Sequence, residues 1–149
     1  MQDKYESLML KNQLCFPVYL CAKEIVRKYM PILKKLDLTY TQYIVMMCFW
    51  EKGHIIEKEL GKILLLDPST LTPLLVKLER KGYIQKTKSE LDGRSLDIAI
   101  TEKGLRLREK ALAIPTKMGQ CLGLSEKEEK TFYQLLYKVL INIERNEIE

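Results

Sequence analysis

A chain of 149 residues, 46% hydrophobic and 30% charged, carries one domain's worth of apolar residues and lies within the globular range. No apolar run approaches the roughly 18 residues that span a bilayer. The opening MQDKYESLMLKNQ mixes acids and bases and does not read as a signal peptide, so a cytoplasmic protein with no membrane partner is expected. The net charge of +5 is uneven: residues 58–110 hold 12 Lys and Arg against 8 Asp and Glu, and residues 111–149 hold 5 against 6. A basic middle suits a nucleic-acid partner, although on charge alone a solvated lysine-rich surface is the better explanation.

Leu14, Val18, Ala22, Ile25, Val26 and Tyr29 fall at helical spacing on one apolar face. Pro17 requires this first helix to start near Leu14 or to bend, and Pro31 is expected to mark its end. Residues 41–50, TQYIVMMCFW, are apolar nearly all round and predict a buried helix, capped by Thr39 or Thr41 and closed by Glu51-Lys52-Gly53-His54. A short helix over 57–65 is expected to turn Leu60, Ile63 and Leu64 inward. Asp67-Pro68-Ser69 makes a turn with a ready N-cap. The next helix, TLTPLLVKLERKG, has a buried stripe of Leu71, Leu74, Leu75 and Leu78, with Pro73 near the end of its first turn and Gly82 at C′.

Tyr83, Ile84 and Thr87 suit a strand, and Leu96, Ile98 and Ile100 alternate as another. Asp92-Gly93 between them is a hairpin-turn signal. A long helix follows a capping Thr101. The last helix begins at a Ser125–Glu128 capping box and carries Phe132, Leu135, Leu136, Val139, Leu140 and Ile143. The order is four helices, a hairpin and two helices, without repeats or a domain-boundary linker. One domain over 1–149 is expected, mainly α with a small β-hairpin (α+β).

Two short helices joined by a turn and followed by a hairpin form the winged helix-turn-helix order. The helix at about 69–81 is then the recognition helix. It presents Ser69, Thr70 and Thr72 to base edges and Lys77 and Arg80 to phosphates. Residues 77–94 hold six bases (Lys77, Arg80, Lys81, Lys86, Lys88 and Arg94) against three acids. Lys88 joins the DNA-facing set on the wing, and Arg94, beside the turn, is placed for a minor groove. Each residue has a plainer reading: Ser69 as a helix cap, the cations as solvated surface.

Four cysteines, Cys15, Cys21, Cys48 and Cys121, match no zinc spacing, and the single histidine, His54, is far from them. No metal or cofactor is expected. The thiols should be reduced at rest. With Asn12 as a cap, Cys15 is the N3 residue of the first helix, where free N–H groups and the helix dipole favour a reactive thiolate. The alternative reading is a core cysteine on an apolar face.

The segments NQLCFPVY, LTYTQYIVMMCFWE, LLLDPSTLTPLLVKLERKGYI and KSELDGRSLDIAITEKG resemble the MarR family of repressors, and most of all its organic-hydroperoxide-sensing branch. The resemblance covers about Leu8 to Leu140. It implies a winged helix-turn-helix lobe at about 40–101. It also implies an intertwined two-fold dimer through helices at about 1–35 and 105–149, bound to a pseudo-palindromic double-stranded operator. It implies that wing Arg94 enters the minor groove while Asp92 orients the wing. It implies further that Cys15 is the redox-sensing thiol, held by Tyr19, Tyr29 and Tyr40, some of them from the partner subunit. Organic hydroperoxide is then the oxidant. Either Cys121 from the other subunit or a small cellular thiol resolves the sulfenate, and Cys21 and Cys48 are inert core. Alternatives within the family are a regulator that binds a phenolic small molecule and a global redox regulator of stress or virulence genes. Outside it, a thiol peroxidase finds no second catalytic motif, so no enzyme is expected. A winged helix used only for protein contacts would bind no DNA in a salt-sensitive way.

Overall fold

The computed structural model of the chain describes residues 4–88 and 96–145. Two 3-10 turns, Glu6–Leu8 and Leu10–Asn12, precede helix α1, Cys15–Lys34. Leu14, not Asn12, is the N-cap, so Cys15 is the first helical residue rather than the third. Asn12 is engaged elsewhere: its side-chain amide donates to the Glu6 carbonyl at 2.7 Å. Pro17 falls in the first turn, where no intrahelical donor is needed. Pro31 does not end the helix. One bond, to the Arg27 carbonyl, is lost there, and fully buried Leu33 anchors the turn that follows.

Helix α2, Tyr40–Lys52, starts at a complete capping box. Thr39 Oγ1 accepts from the Gln42 N–H at 3.2 Å, and Gln42 Oε1 accepts from the Thr39 N–H at 3.1 Å. The helix buries Gln42, Tyr43, Val45, Met46 and Phe49, and it packs against α1 and the three-stranded sheet described below. Gly53, at φ 71°, terminates it.

An unexpected strand, β1 (His54–Ile56), comes next, followed by α3, Glu57–Leu64. Leu60 is buried, but Ile63 is 45% exposed rather than turned inward. Leu65, at φ 50°, makes the corner, and Asp67 caps α4, Pro68–Arg80. The stripe Leu71, Leu74, Leu75 and Leu78 is buried as its spacing requires. Gly82, at φ 75°, ends the helix as its C′ residue.

Strands β2 (Ile84–Lys88) and β3 (Leu96–Ile100) pair antiparallel from Ile84↔Ile100 to Lys88↔Leu96. β1 adds to the other edge of β3, giving the order β1-β3-β2. The expected turn at Asp92-Gly93 lies outside the described residues. Thr101 caps α5, Glu102–Ala111. The single long helix expected here is two, because Pro115 belongs in the first turn of a new one, α6, Ile114–Leu122. Helix α7, Glu126–Arg145, follows the Ser125–Glu128 capping pair.

The chain divides into two compact units, one up to Leu112 and one from Ala113 onward. The first contains Leu33, Val45, Met46, Phe49, Leu60, Leu75, Leu78 and Ile98, all fully buried. One joint organises it. The Trp50 indole N–H donates to the Gly104 carbonyl at 2.9 Å. Thr101 Oγ1 accepts from the Gly104 N–H at 3.1 Å and donates to the Gly82 carbonyl at 2.6 Å. Only glycine fits at 104, since a Cβ would stand 2.3 Å from the Tyr83 carbonyl oxygen. The ends of α2 and α4 and the start of α5 are thus locked together. In the second unit α6 buries Ile114 and Met118, and α7 buries nothing. No described helix is long and apolar enough to cross a membrane.

Candidate functional site

Helix α4 has two unlike faces. Its leucine stripe faces the core, and Ser69, Thr70, Thr72, Lys77 and Arg80 are all exposed. Lys88, at the end of β2, is exposed as well. Lys77, Arg80 and Lys88 form no ion pair with an acid among the described residues. Cations without such a partner suit an anionic ligand. Asp92 and Arg94 lie outside the described residues.

The hydroxyls at the start of α4 are not free. Ser69 Oγ donates to Asp67 Oδ1, and Thr70 Oγ1 donates to Asp67 Oδ2 at 3.2 Å. The Thr70 N–H also donates to Asp67, at 3.1 Å. Asp67 is therefore the cap, and Ser69 is not. The Ser69 hydroxyl first, then the Thr70 N–H and hydroxyl, hold the Asp67 carboxyl below the usual carboxylate range. Thr72 Oγ1 donates to Glu57 Oε1, from the first turn of α3, at 2.7 Å. The sequence marks the Asp67-Pro68-Ser69 turn as holding the cap and offers Ser69 for it; the cap is Asp67. Glu57 is not legible there, because fifteen residues separate it from Thr72.

The far end of α4 is pinned. Lys81 Nζ pairs with the Asp37 carboxylate at 3.1 Å and donates to the Asp37 carbonyl, while Lys103 Nζ donates to the Lys81 carbonyl at 2.6 Å. The C-terminal end of α4 is thus tied to the α1–α2 connection and to α5.

The redox constellation comes together only in part. The Tyr29 and Tyr40 rings pack at a tilt of 54° with centroids 4.9 Å apart, and Tyr43, not among the tyrosines expected to hold Cys15, lies 5.9 Å from Tyr29. Burial first, then Tyr40 and Tyr43, push the Tyr29 phenol up, so its hydroxyl keeps its proton and can donate a hydrogen bond. Cys15 is exposed and stands at the other end of α1. From Cys15 to Tyr29 is 14 residues, which at 1.5 Å each is about 21 Å of helix. Tyr19, four residues on from Cys15 and 61% exposed, is its neighbour on the same face. Within one chain Cys15 meets Tyr19 at most.

Cys121 lies inside α6 and is exposed. Cys21 is exposed rather than core. Cys48 is half-buried, and burial, ahead of Glu51, pushes its thiol up, which suits an inert role. No group of three or more His, Cys, Asp and Glu able to hold a metal occurs among the described residues.

Comparison with known proteins agrees with this architecture. The profile of the family described as transcriptional regulator SarA/Rot matches residues 27–111. The chain is 41% identical over 143 residues to the organic hydroperoxide resistance transcriptional regulator of Bacillus subtilis, covering 94% of this chain and 95% of that protein. It is 43% identical over 123 residues to the regulator SarZ of Staphylococcus aureus, covering 83% of each. Among solved structures it resembles reduced AbfR bound to DNA, with a TM-score of 0.78 and 30% identity over 95% of this chain and 99% of that one. It also resembles a mutant MarR of E. coli complexed with operator DNA, with a TM-score of 0.81 and 25% identity over 93% and 99%. A winged helix-turn-helix with this sequence belongs to the MarR-type SarA/Rot family of transcriptional regulators, which are not enzymes.

Proposed function

We propose that the chain binds a pseudo-palindromic operator as a homodimer, represses transcription, and lets go when Cys15 is oxidised by an organic hydroperoxide. The observation that carries the DNA-binding part is α4, with leucines on its buried face and Ser69, Thr70, Thr72, Lys77 and Arg80 on its open one. Lys88 takes a phosphate beside it, and Asp92 and Arg94 place the wing in the minor groove. That reduced AbfR and MarR are seen bound to DNA supports a DNA-binding role for this fold.

The dimer follows from apolar surface that each terminal region leaves open. Leu14 is 77% exposed at the N-cap of α1, and Phe132, Leu135, Leu136, Val139, Leu140 and Ile143 are exposed on α7. The roughly 21 Å of helix between Cys15 and Tyr29 supports it too, since the tyrosines of a second copy would supply what this chain's own do not. Tyr29 and Tyr40 of the partner subunit then donate to the Cys15 thiolate, with Tyr19 beside it.

The thiolate attacks the peroxide: Cys15 becomes a sulfenic acid and the hydroperoxide leaves as an alcohol. The sulfenic acid condenses with a thiol, releasing water. That thiol is Cys121 of the partner subunit or a small cellular thiol. Overoxidized AbfR is also seen bound to DNA, which favours release by a disulfide or bulky adduct over release by oxygen on the sulfur alone. The new bond shifts the two recognition helices out of register with successive major grooves.

An operator gel shift with and without organic hydroperoxide tests this. Wild type should release DNA and Cys15→Ser should stay bound; Cys121→Ser should stay bound only if Cys121 is the resolving thiol. Release of Cys15→Ser by hydroperoxide would remove Cys15 as the sensor. A second reading has one observation in its favour, a cavity of about 640 Å³ lined by Met30, Lys34, Leu38, Tyr40 and Lys81. A phenolic carboxylate seated there would release wild type and Cys15→Ser alike.

A further inference from the structure

The exposed hydroxyls of α4 share a constraint that their identities alone do not reveal. A hydroxyl carries one proton and two lone pairs, and an ionised carboxylate carries no proton at all. In a contact between the two, the proton belongs to the hydroxyl. Ser69 spends its proton on Asp67 Oδ1, Thr70 on Asp67 Oδ2, and Thr72 on Glu57 Oε1 at 2.7 Å. Ser69 and Thr70 hold the Asp67 carboxyl below its usual range, so it stays ionised at neutral pH and can only accept. Each oxygen turns lone pairs, and no proton, to solvent.

An unconstrained serine or threonine hydroxyl rotates and serves as donor or acceptor, so it distinguishes bases poorly. Anchored by a carboxylate it is an acceptor only. In a major groove the groups that can meet it are the exocyclic amines of adenine (N6) and cytosine (N4). The keto oxygens of guanine (O6) and thymine (O4) would face it lone pair to lone pair.

We infer that Asp67 and Glu57 are specificity-determining residues, which fix Ser69, Thr70 and Thr72 as a row of acceptors and so select adenine or cytosine amino groups over keto oxygens in the operator. The inference rests on the reading that α4 lies in a major groove. Glu57 is the sharper case. Asp67 caps α4 in any event, whereas Glu57 reaches across from another helix to a single hydroxyl. Neither carboxylate touches a base in this scheme. Both are positioning residues that act through the hydroxyls.

The test begins with selection of an operator from a randomised duplex by the reduced full-length protein. Binding is then measured on operators in which each adenine or cytosine of a half-site is replaced by its analogue without the amino group, or by a keto base. Wild type should lose roughly tenfold in affinity at the position facing Thr72. Thr72→Val should lose that sensitivity. In Glu57→Ala the freed hydroxyl can turn and donate, so amino and keto bases should bind within about twofold of each other at that position. Removing a negative charge also strengthens binding to every duplex, but uniformly, and this cancels in the ratio. Should Glu57→Ala fail to fold, Glu57→Gln, whose amide both donates and accepts, is expected to show an intermediate preference.

Wild-type binding indifferent to every amino deletion would overturn the inference. So would a Glu57→Ala protein that keeps the full preference, or one whose only change is uniform tightening. Absence of salt-sensitive binding of wild type to any duplex would instead overturn the DNA-binding reading, and the inference with it.

Discussion

Helices α2 and α7 are both rich in large apolar residues, and they use them in opposite ways. α2 buries Tyr43, Val45, Met46 and Phe49 against elements of its own unit. α7 carries Phe132, Leu135, Leu136, Val139, Leu140 and Ile143 and buries none of them. The difference teaches that an apolar stripe states a demand for cover without stating what supplies it. For α2 the cover is in the same chain. For α7 a second chain is the economical answer, since a helix apolar along so much of its length rarely remains bare in water.

The comparison can be broken by core truncation. Phe49→Ala should cost about 3–5 kcal/mol in urea unfolding, by the same amount at every protein concentration. Leu136→Ser on α7 should show a loss that grows with protein concentration and fades on dilution, because it acts through association. A concentration-independent loss from Leu136→Ser would mean that α7 is covered within its own chain. Gly104→Ala probes the joint beside α2 and is expected to cost about 1–3 kcal/mol, since a methyl there meets backbone rather than a yielding side chain. The smallest effect expected is that of Thr39→Ala, about 1 kcal/mol from the lost cap of α2, with an unchanged denaturant slope.

Much of this fold is legible in the chain. The α4 stripe, the Thr39 and Thr101 caps, Gly82 and the two wing strands each follow from a local signal, and each local signal agrees with the tertiary outcome. What escaped is non-local. β1 is three residues long, too short to show an alternation, and exists because β3 offers it an edge. Pro31 reads as a stop, but buried Leu33 carries the helix past it. Pro115 splits the expected long helix, and so places Cys121 in α6. Ile63 has helical spacing toward the core yet lies on the open side of a helix too short to bury three residues.

The candidate site divides the same way. Ser69, Thr70 and Thr72 could be named from their place in a recognition helix. Their partner Glu57 could not, since the contact crosses from α3. Cys15, Tyr29 and Tyr40 could be named from family resemblance. The 14-residue gap along one straight helix, which keeps the cysteine away from the two tyrosines in a single chain, becomes evident only when α1 is seen to run unbroken from Cys15 to Lys34.

The composition includes a single tryptophan. Its indole N–H is bonded to the Gly104 carbonyl, and its ring lies 6.0 Å from Tyr43, itself 5.9 Å from Tyr29. Ultraviolet emission excited selectively at Trp50 therefore comes from one place, the seam between α2 and α5, with no competing fluorophore of its kind. The molecule carries an unlabelled optical gauge, wired at one side to the tyrosine cluster and at the other to the corner that holds the end of α4. Its colour and lifetime would register any rearrangement passing between them in real time.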